Sequence, residues 1–270
     1  MSDRYAEANR ALWDEWADIN ARSALYGLEE FKTGGVKIPQ FMQDEVGDVT
    51  GKSLLHLQCH FGMDTLSWAR LGAKVTGVDF SPRAIELATQ LAQELSIDAR
   101  FVFADVLEAD RALDERFDVV FTSIGVVGWL RDLRRWAQVV AYFVKPGGFF
   151  YICDVHPFSL VFDDELEDPV LRFRYPYFTR DEPIEIETKG SYADQEADVR
   201  QAVHYGWVHD MGEIVTVLAE AGLRIEYLHD HPYGIEVQFP FMQQRDDGRY
   251  YLPDGVPEIP LLFSLKATKG

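Results

Sequence analysis

The stretch from Gly51 to Ser81, GKSLLHLQCHFGMDTLSWARLGAKVTGVDFS, decides how the rest of the chain is read. Ser53 to Cys59 is an apolar-rich run with the pattern of a buried strand. His60, Phe61 and Gly62 form the turn, after which Asp64 or Thr65 is expected to cap a helix carrying Leu66, Trp68, Ala69 and Leu71. Gly72 ends that helix, and a second strand, Lys74 to Val78, stops at Asp79. The unit is therefore strand, turn, helix, strand, with a carboxylate at the tip of the second strand. A strand-to-helix turn aims backbone N–H groups out of the sheet, where they meet an anionic or polar ligand. A carboxylate about twenty residues further on accepts both hydroxyls of a ribose. Together these features predict a nucleoside-containing ligand across the strand ends.

The same residues resemble the first motif of the class I S-adenosylmethionine-dependent methyltransferases, V-L-D-L-G-C-G-x-G. Leu55-His56-Leu57-Gln58-Cys59-His60-Phe61-Gly62 keeps its apolar strand, its cysteine and its last glycine. It departs at His56, where an acid is usual, and at Gln58 and His60, where glycines are usual. Those two residues must take up backbone angles that glycine would make easy. Val78-Asp79-Phe80-Ser81 is similar to the second motif and Phe103-Ala104-Asp105-Val106 to the third. Phe117 to Gly125 and Lys145 to Ile152 are similar to the fourth and fifth strands. The resemblance runs from about Gly51 to Asp154 and returns from Trp207 to Lys269, and the L-H-L-Q-C-H-F-G variant points to a bacterial subgroup of small-molecule enzymes. It implies S-adenosyl-L-methionine as cofactor, held by His56, Gln58, Cys59, Gly62, Asp79, Phe80, Ser81, Ala104, Asp105, Val106 and Ser123. In that scheme Asp79 takes the ribose, Asp105 the adenine amino group, and Val106 gives a backbone contact.

Outward from this centre, strands and helices alternate. Ser81-Pro82 opens a helix with Ala84, Ile85, Ala88, Leu91 and Ala92 on one side, proline sitting where its missing N–H costs nothing. Phe101 to Ala104 is the third strand, Phe117 to Ser123 the fourth, Leu133 to Phe143 a helix, and Phe149 to Cys153 the fifth strand after the Pro146-Gly147-Gly148 turn. Asp210 to Ala221 is a helix and Leu223 to Leu228 the sixth strand. Leu261 to Thr268 is the seventh, which the resemblance implies runs antiparallel at the edge beside the fifth. The predicted fold is α/β: a doubly wound, Rossmann-like, seven-stranded sheet, mostly parallel with the last strand antiparallel, helices on both faces and a cap insertion.

Three segments lie outside the alternation. Residues 1–50 read as an N-terminal helical lid, with an amphipathic helix from Asp3 to Ser23 and a short one within Pro39 to Val49. The resemblance implies that residues 51–270 form a methyltransferase domain, and 156–206, rich in proline, aromatics and acids, reads as a substrate cap inserted after the fifth strand. Short alternating pieces, Leu171 to Tyr175 and Ile184 to Glu187, give the cap some β-structure. Trp13, Tyr26, Arg172, Arg174 and Tyr177 are candidates for the substrate pocket, and the aromatic loop from His231 to Gly255 closes its other side.

Composition narrows the partners. The formal net charge is -19, which repels phosphate backbones and anionic lipid, so nucleic acid and membrane are not expected. The fourth strand ends Thr122-Ser123-Ile124-Gly125, without the N/D-P-P-Y/F tetrad of enzymes that methylate nucleobase amino groups. Two cysteines in apolar strands read as buried thiols of a reducing cytoplasm, and the charged N-terminus shows no secretory signal. Cysteine and histidine spacings do not build a metal site, and the oligomeric state is not legible. The resulting expectation is an enzyme that transfers a methyl group to a small-molecule acceptor by in-line displacement. Where a proton must leave, His156, His209 and His204 are candidate bases, His156 because it follows the fifth strand. Two alternatives are a non-catalytic protein that binds the cofactor or S-adenosylhomocysteine, and an NAD-dependent oxidoreductase.

Overall fold

The computed structural model describes residues 4–270. Its main sheet has seven strands: β1 (Ser53–Leu57), β2 (Lys74–Asp79), β3 (Ala99–Phe103), β4 (Phe117–Thr122), β5 (Val144–Val155), β8 (Leu223–His231) and β11 (Leu262–Lys269). Two short hairpins lie apart from it, β6 (Ile184–Glu187) with β7 (Val203–Gly206), and β9 (Gln243–Gln244) with β10 (Tyr250–Tyr251). The helices are α1 (Arg4–Arg22), α2 (Leu28–Lys32), α3 (Gln40–Val46), α4 (Met63–Arg70), α5 (Pro82–Glu94), α6 (Ala109–Ala112), α7 (Leu133–Phe143) and α8 (Met211–Glu220). The expected helix start at Asp3 lies outside the described residues.

Strand order in the sheet is β3-β2-β1-β4-β5-β11-β8. The chain builds outward from β1 to β3, then returns to β4 on the other side of β1. The order therefore reverses between β1 and β4, and a crevice opens beyond their carboxyl ends. β11 is the antiparallel strand, paired to both β5 and β8. It was expected at the edge and instead lies one strand in, because β8 runs alongside it from Leu223 to His231. This places β8 at the edge.

Side chains along each central strand divide between two layers, as the two-residue period requires. Leu55, Leu57, Val120, Phe150 and Ile152 meet Trp136, Val140, Ile214 and Leu218 of α7 and α8. Leu54, Val119, Phe121, Tyr151 and Cys153 meet Met42 and Val46 of α3 and Trp68 of α4. Cys59 and Cys153 are both free and buried.

Helix α4 starts two or three residues earlier than a cap at Asp64 or Thr65 implies. Gly62 occupies its N-cap position at φ 85° with no side-chain cap, so neither Asp64 nor Thr65 serves as one. Both side chains are used elsewhere, as described below. A Cβ at Gly62 would come within 2.8 Å of the Phe101 ring, so the turn needs glycine for space as well as for its angle. Leu171 to Tyr175 forms no strand and contributes only a bridge from Phe173 to Phe162.

Helix α1 lies against both the 156–206 insertion and helix α5. Asn9 exchanges two hydrogen bonds with the backbone of Tyr205 in β7, each 2.8 Å long. Trp16 donates through Nε1 to the Gly190 carbonyl at 2.9 Å. On the opposite side Asp14 accepts from Ser81 Oγ at 2.5 Å, and Asp18 pairs with Arg83. Leu12 and Trp16 are buried, each contributing about 1.5–3 kcal/mol of apolar burial to this docking.

Candidate functional site

A partly open cavity of about 290 Å³ lies beyond the carboxyl ends of β1, β2 and β4. Its floor is the turn from Gln58 to Gly62. Gln58 and His60 have φ of 59° and 50°, in the left-handed region that side chains other than glycine occupy at a cost of about 1–2 kcal/mol. Hydrogen bonds hold the turn in place: Cys59 N–H donates to the Val78 carbonyl, and Gly62 N–H to that of Cys59. His60 N–H donates to Asp79 Oδ2 at 2.8 Å.

Asp79 is the last residue of β2 and only 7% exposed. Its other oxygen accepts from Ser81 N–H at 2.9 Å. Burial outweighs these bonds and pushes its carboxyl up to about 6. Asp105, at the end of β3, accepts from Leu107 N–H and pairs with Arg131 at 2.9 Å. Gln58 Nε2 reaches the Val126 carbonyl at 3.3 Å, while its Oε1 is buried with no partner among the described residues.

His56, 2% exposed on β1, lies between Thr65 Oγ1 at 2.9 Å and Ser123 Oγ at 3.1 Å. Burial lowers its imidazole to about 3, so it is neutral. Ser123 Oγ in turn donates to Asp64 Oδ2 at 3.1 Å. Burial raises the Asp64 carboxyl, and Glu236 across the cavity is raised by burial and by the nearby Asp64.

The roof is aromatic. Trp13 of α1 sits edge-on to His60, Trp129 and Trp16, each with ring centres 5.2 Å apart. Tyr26 and Tyr192 share a short hydrogen bond between their hydroxyls. Asn20 Nδ2 contacts both His60 Nε2 and the Tyr192 hydroxyl, at 3.1 and 3.0 Å. Burial pushes both tyrosine hydroxyls above their ordinary value.

Of the residues named from sequence, His56, Gln58, Cys59, Gly62, Asp79, Phe80, Ala104, Asp105, Val106, Ser123, Trp13 and Tyr26 line this cavity. Ser81 does not; its hydroxyl caps α5 by accepting from Ala84 N–H and donates to Asp14. The three histidines also lie outside. The Nδ1 of His156 accepts from Phe158 N–H, and its Nε2 is 3.4 Å from Asp230. His204 stacks on Trp129 behind the cavity wall. His209 bridges Glu213 and the Leu130 carbonyl, tying α8 to the segment before α7.

Arg172, Arg174 and Tyr177 do not reach the cavity. Arg172 is exposed, Arg174 pairs with Asp163 and Glu165, and Tyr177 packs near Phe158. The 156–206 insertion contributes Tyr192 to the wall, joined by Trp207, Trp129, Ile235 and Glu236. Sequence reading passed over Tyr192 and Glu236, which stand in stretches with no periodic pattern. Among the described residues, no three histidine, cysteine or acidic side chains are grouped to hold a metal ion. No helix among them is long and apolar enough to cross a membrane.

The strand order and the crevice at its reversal define a doubly wound, Rossmann-like sheet. Residues 55–150 match the family described as a methyltransferase domain. A ubiquinone biosynthesis O-methyltransferase from Methylobacterium sp. (strain 4-46) is 31% identical over 108 residues, 40% of this chain and 43% of its own length. Another of that name, from Bordetella pertussis, is 27% identical over 204 residues, 72% of this chain and 81% of its own. Several of these alignments span only about half of the curated relative. A solved S-adenosylmethionine-dependent methyltransferase from Listeria monocytogenes has a similar fold, with TM-score 0.60 and 16% identity over 86% of this chain and 96% of its own.

Proposed function

We propose that this protein is an S-adenosylmethionine-dependent methyltransferase acting on a small molecule. The observation that carries this reading is Asp79: a buried carboxylate at the tip of β2, facing a cavity at the point where strand order reverses. The orphaned Gln58 Oε1 in the same wall supports a ligand that brings its own donors. Phe80, Ala104, Val106, Leu107 and Leu130 supply apolar walls suited to a flat base. In this reading Asp79 holds the ribose hydroxyls, and Asp105 with Val106 lies at the adenine.

Held there by Asp79, Asp105 and Val106, the cofactor would supply an electrophilic methyl group for in-line transfer to an acceptor lone pair. The chain's part is to align the acceptor and keep water out. Residues 4–46, with Tyr192 of the 156–206 insertion, act as the cover. Trp13, Tyr26, Tyr192 and Trp207 confine the acceptor to a small, partly planar molecule. The relatives' names support oxygen as the attacking atom. Glu236, rather than His156, His204 or His209, is the group suited to take the acceptor's proton, since it lines the cavity and burial raises its carboxyl.

Calorimetry with S-adenosylmethionine, S-adenosylhomocysteine and NAD tests the first step. Binding of the two adenosyl compounds and not NAD is expected; binding of NAD alone overturns the proposal. Label from methyl-labelled cofactor should then appear in a fraction of a small-molecule extract. The altered first motif, with neutral His56 and side chains at both left-handed positions, favours one competing reading: a protein that binds but does not transfer. Tight binding with no labelled product from any extract would favour it.

A further inference from the structure

We propose that Asp64 holds the α-ammonium of the cofactor's amino-acid end, aimed at it by a hydrogen-bond chain through Thr65, His56 and Ser123. This rests on the reading that S-adenosylmethionine occupies the cavity.

Counting protons fixes the direction of the chain. Ser123 has one hydroxyl proton, and Asp64 Oδ2 receives it. The contact between Ser123 Oγ and His56 Nε2 then requires Nε2 to be the donor. A neutral His56 therefore accepts at Nδ1, and the Thr65 hydroxyl is the donor there. Every link points toward Asp64. His56 itself is left with no free nitrogen for a ligand, although it stands on β1 at the cavity wall.

Asp64 is differently placed. Its Oδ1 has no hydrogen bond or ion pair among the described residues, and its side chain lines the cavity. The two cations that also line the cavity are engaged: Lys37 with Glu30, and Arg131 with Asp105. A carboxylate fixed in orientation and lacking a cation is costly until a positive group arrives. Of the two positive groups of the cofactor, the sulfonium has no N–H to give, whereas the ammonium has three donors matched to a carboxylate. Asp79 anchors the ribose end of the cavity, so a second carboxylate near Ser123 falls to the other end of the ligand. The start of β1–α4 thus keeps a negative charge at the cofactor site although its strand position carries a neutral histidine.

The test compares two ligands by calorimetry: S-adenosylhomocysteine, and 5′-methylthioadenosine, which lacks the amino-acid end. Asp64→Asn should weaken the first by about 10- to 100-fold, as loss of a charge-assisted hydrogen bond does, and the second by less than about twofold. Asp64→Glu should retain more S-adenosylhomocysteine affinity than Asp64→Asn, and Ser123→Ala should lose about 3- to 10-fold for that ligand only. Glu236→Gln should leave both affinities within about twofold, since it is assigned to the acceptor. Thermal unfolding of each variant reports whether it is folded. Equal weakening of both ligands by Asp64→Asn, no weakening of either, or an S-adenosylhomocysteine-selective loss in Glu236→Gln instead would overturn the assignment. Wild-type protein that binds neither ligand overturns the cofactor reading itself; wild-type binding with an unselective Asp64→Asn overturns only this inference.

Discussion

The two halves of the cavity are built in contrasting ways. The half assigned to the adenosyl group comes almost entirely from strand ends and the turns that follow them: Gln58 to Gly62, Asp79, and Ala104 to Leu107. Its polar groups are fixed by backbone bonds, such as His60 and Ser81 N–H to Asp79. The half assigned to the acceptor draws single side chains from distant segments: Trp13, Tyr26, Tyr192, Trp207 and Glu236. Its polar groups touch one another through side chains, as Asn20, Tyr26 and Tyr192 do. The first half is a property of the sheet. The second is a property of how residues 4–46 and the 156–206 insertion pack against it, and such loop-borne walls are where change costs the fold least.

The strongest way to break this contrast is at Asp79. Asp79→Asn should weaken S-adenosylhomocysteine by about 100-fold in calorimetry, the value of two hydrogen bonds to a charged acceptor. The wild-type affinity should also fall as pH drops through about 6, where the buried carboxyl takes up a proton. For stability the sign is the reverse. The folded carboxyl sits above its ordinary 3.8, so between about 4 and 6 the folded state holds more protons than the unfolded. Asp79 therefore makes the fold less stable as pH rises through that window. Unchanged affinity in Asp79→Asn would move the ribose elsewhere and dissolve the division into halves.

Gln58 sharpens the comparison. Gln58→Gly relieves a left-handed side chain worth about 1–2 kcal/mol, offset by about 0.5–1 kcal/mol of glycine's unfolded-chain entropy. The thermal midpoint should hold or rise, while cofactor affinity falls about 3- to 10-fold with loss of the Oε1 acceptor. A lower midpoint with intact affinity would make Gln58 a purely structural member of the turn. Arg174→Ala bounds the small end. Its pairs with Asp163 and Glu165 are at the surface, so stability should change by less than about 0.5 kcal/mol and cofactor affinity not at all. A measurable loss of binding would extend the acceptor half into the outer cap.

Legibility followed the same line. The apolar-rich run through Leu54, Leu55 and Leu57 and the acid closing β2 were readable because each is set by neighbours a few residues away. The positive angles at Gln58 and His60 followed from where glycine was missing. The expected cap at Asp64 or Thr65 was not found, because Gly62 already turns the chain and His56 and Ser123 recruit those side chains across the sheet. Arg172 and Arg174 looked suited to a pocket from charge alone. The acids beside them in the cap, Asp163 and Glu165, hold Arg174 at the surface. The edge position expected for β11 failed because β8 pairs along its outer side from Leu223 to His231, a long-range pairing that the apolar pattern of neither strand shows.

What the amino-acid sequence determined by itself is the strand–turn–helix–strand centre with its carboxylate at the β2 tip. That unit spans about thirty residues, and its hydrophobic period and turn residues act locally. Only the tertiary structure decided which side chains enclose the rest of the cavity. Asn9 meets Tyr205 across 196 positions, Trp16 meets Gly190 across 174, and Asn20 meets Tyr192 across 172. Contacts between residues so far apart leave no periodic mark on the chain, because they are set by the docking of whole elements rather than by the spacing of neighbours.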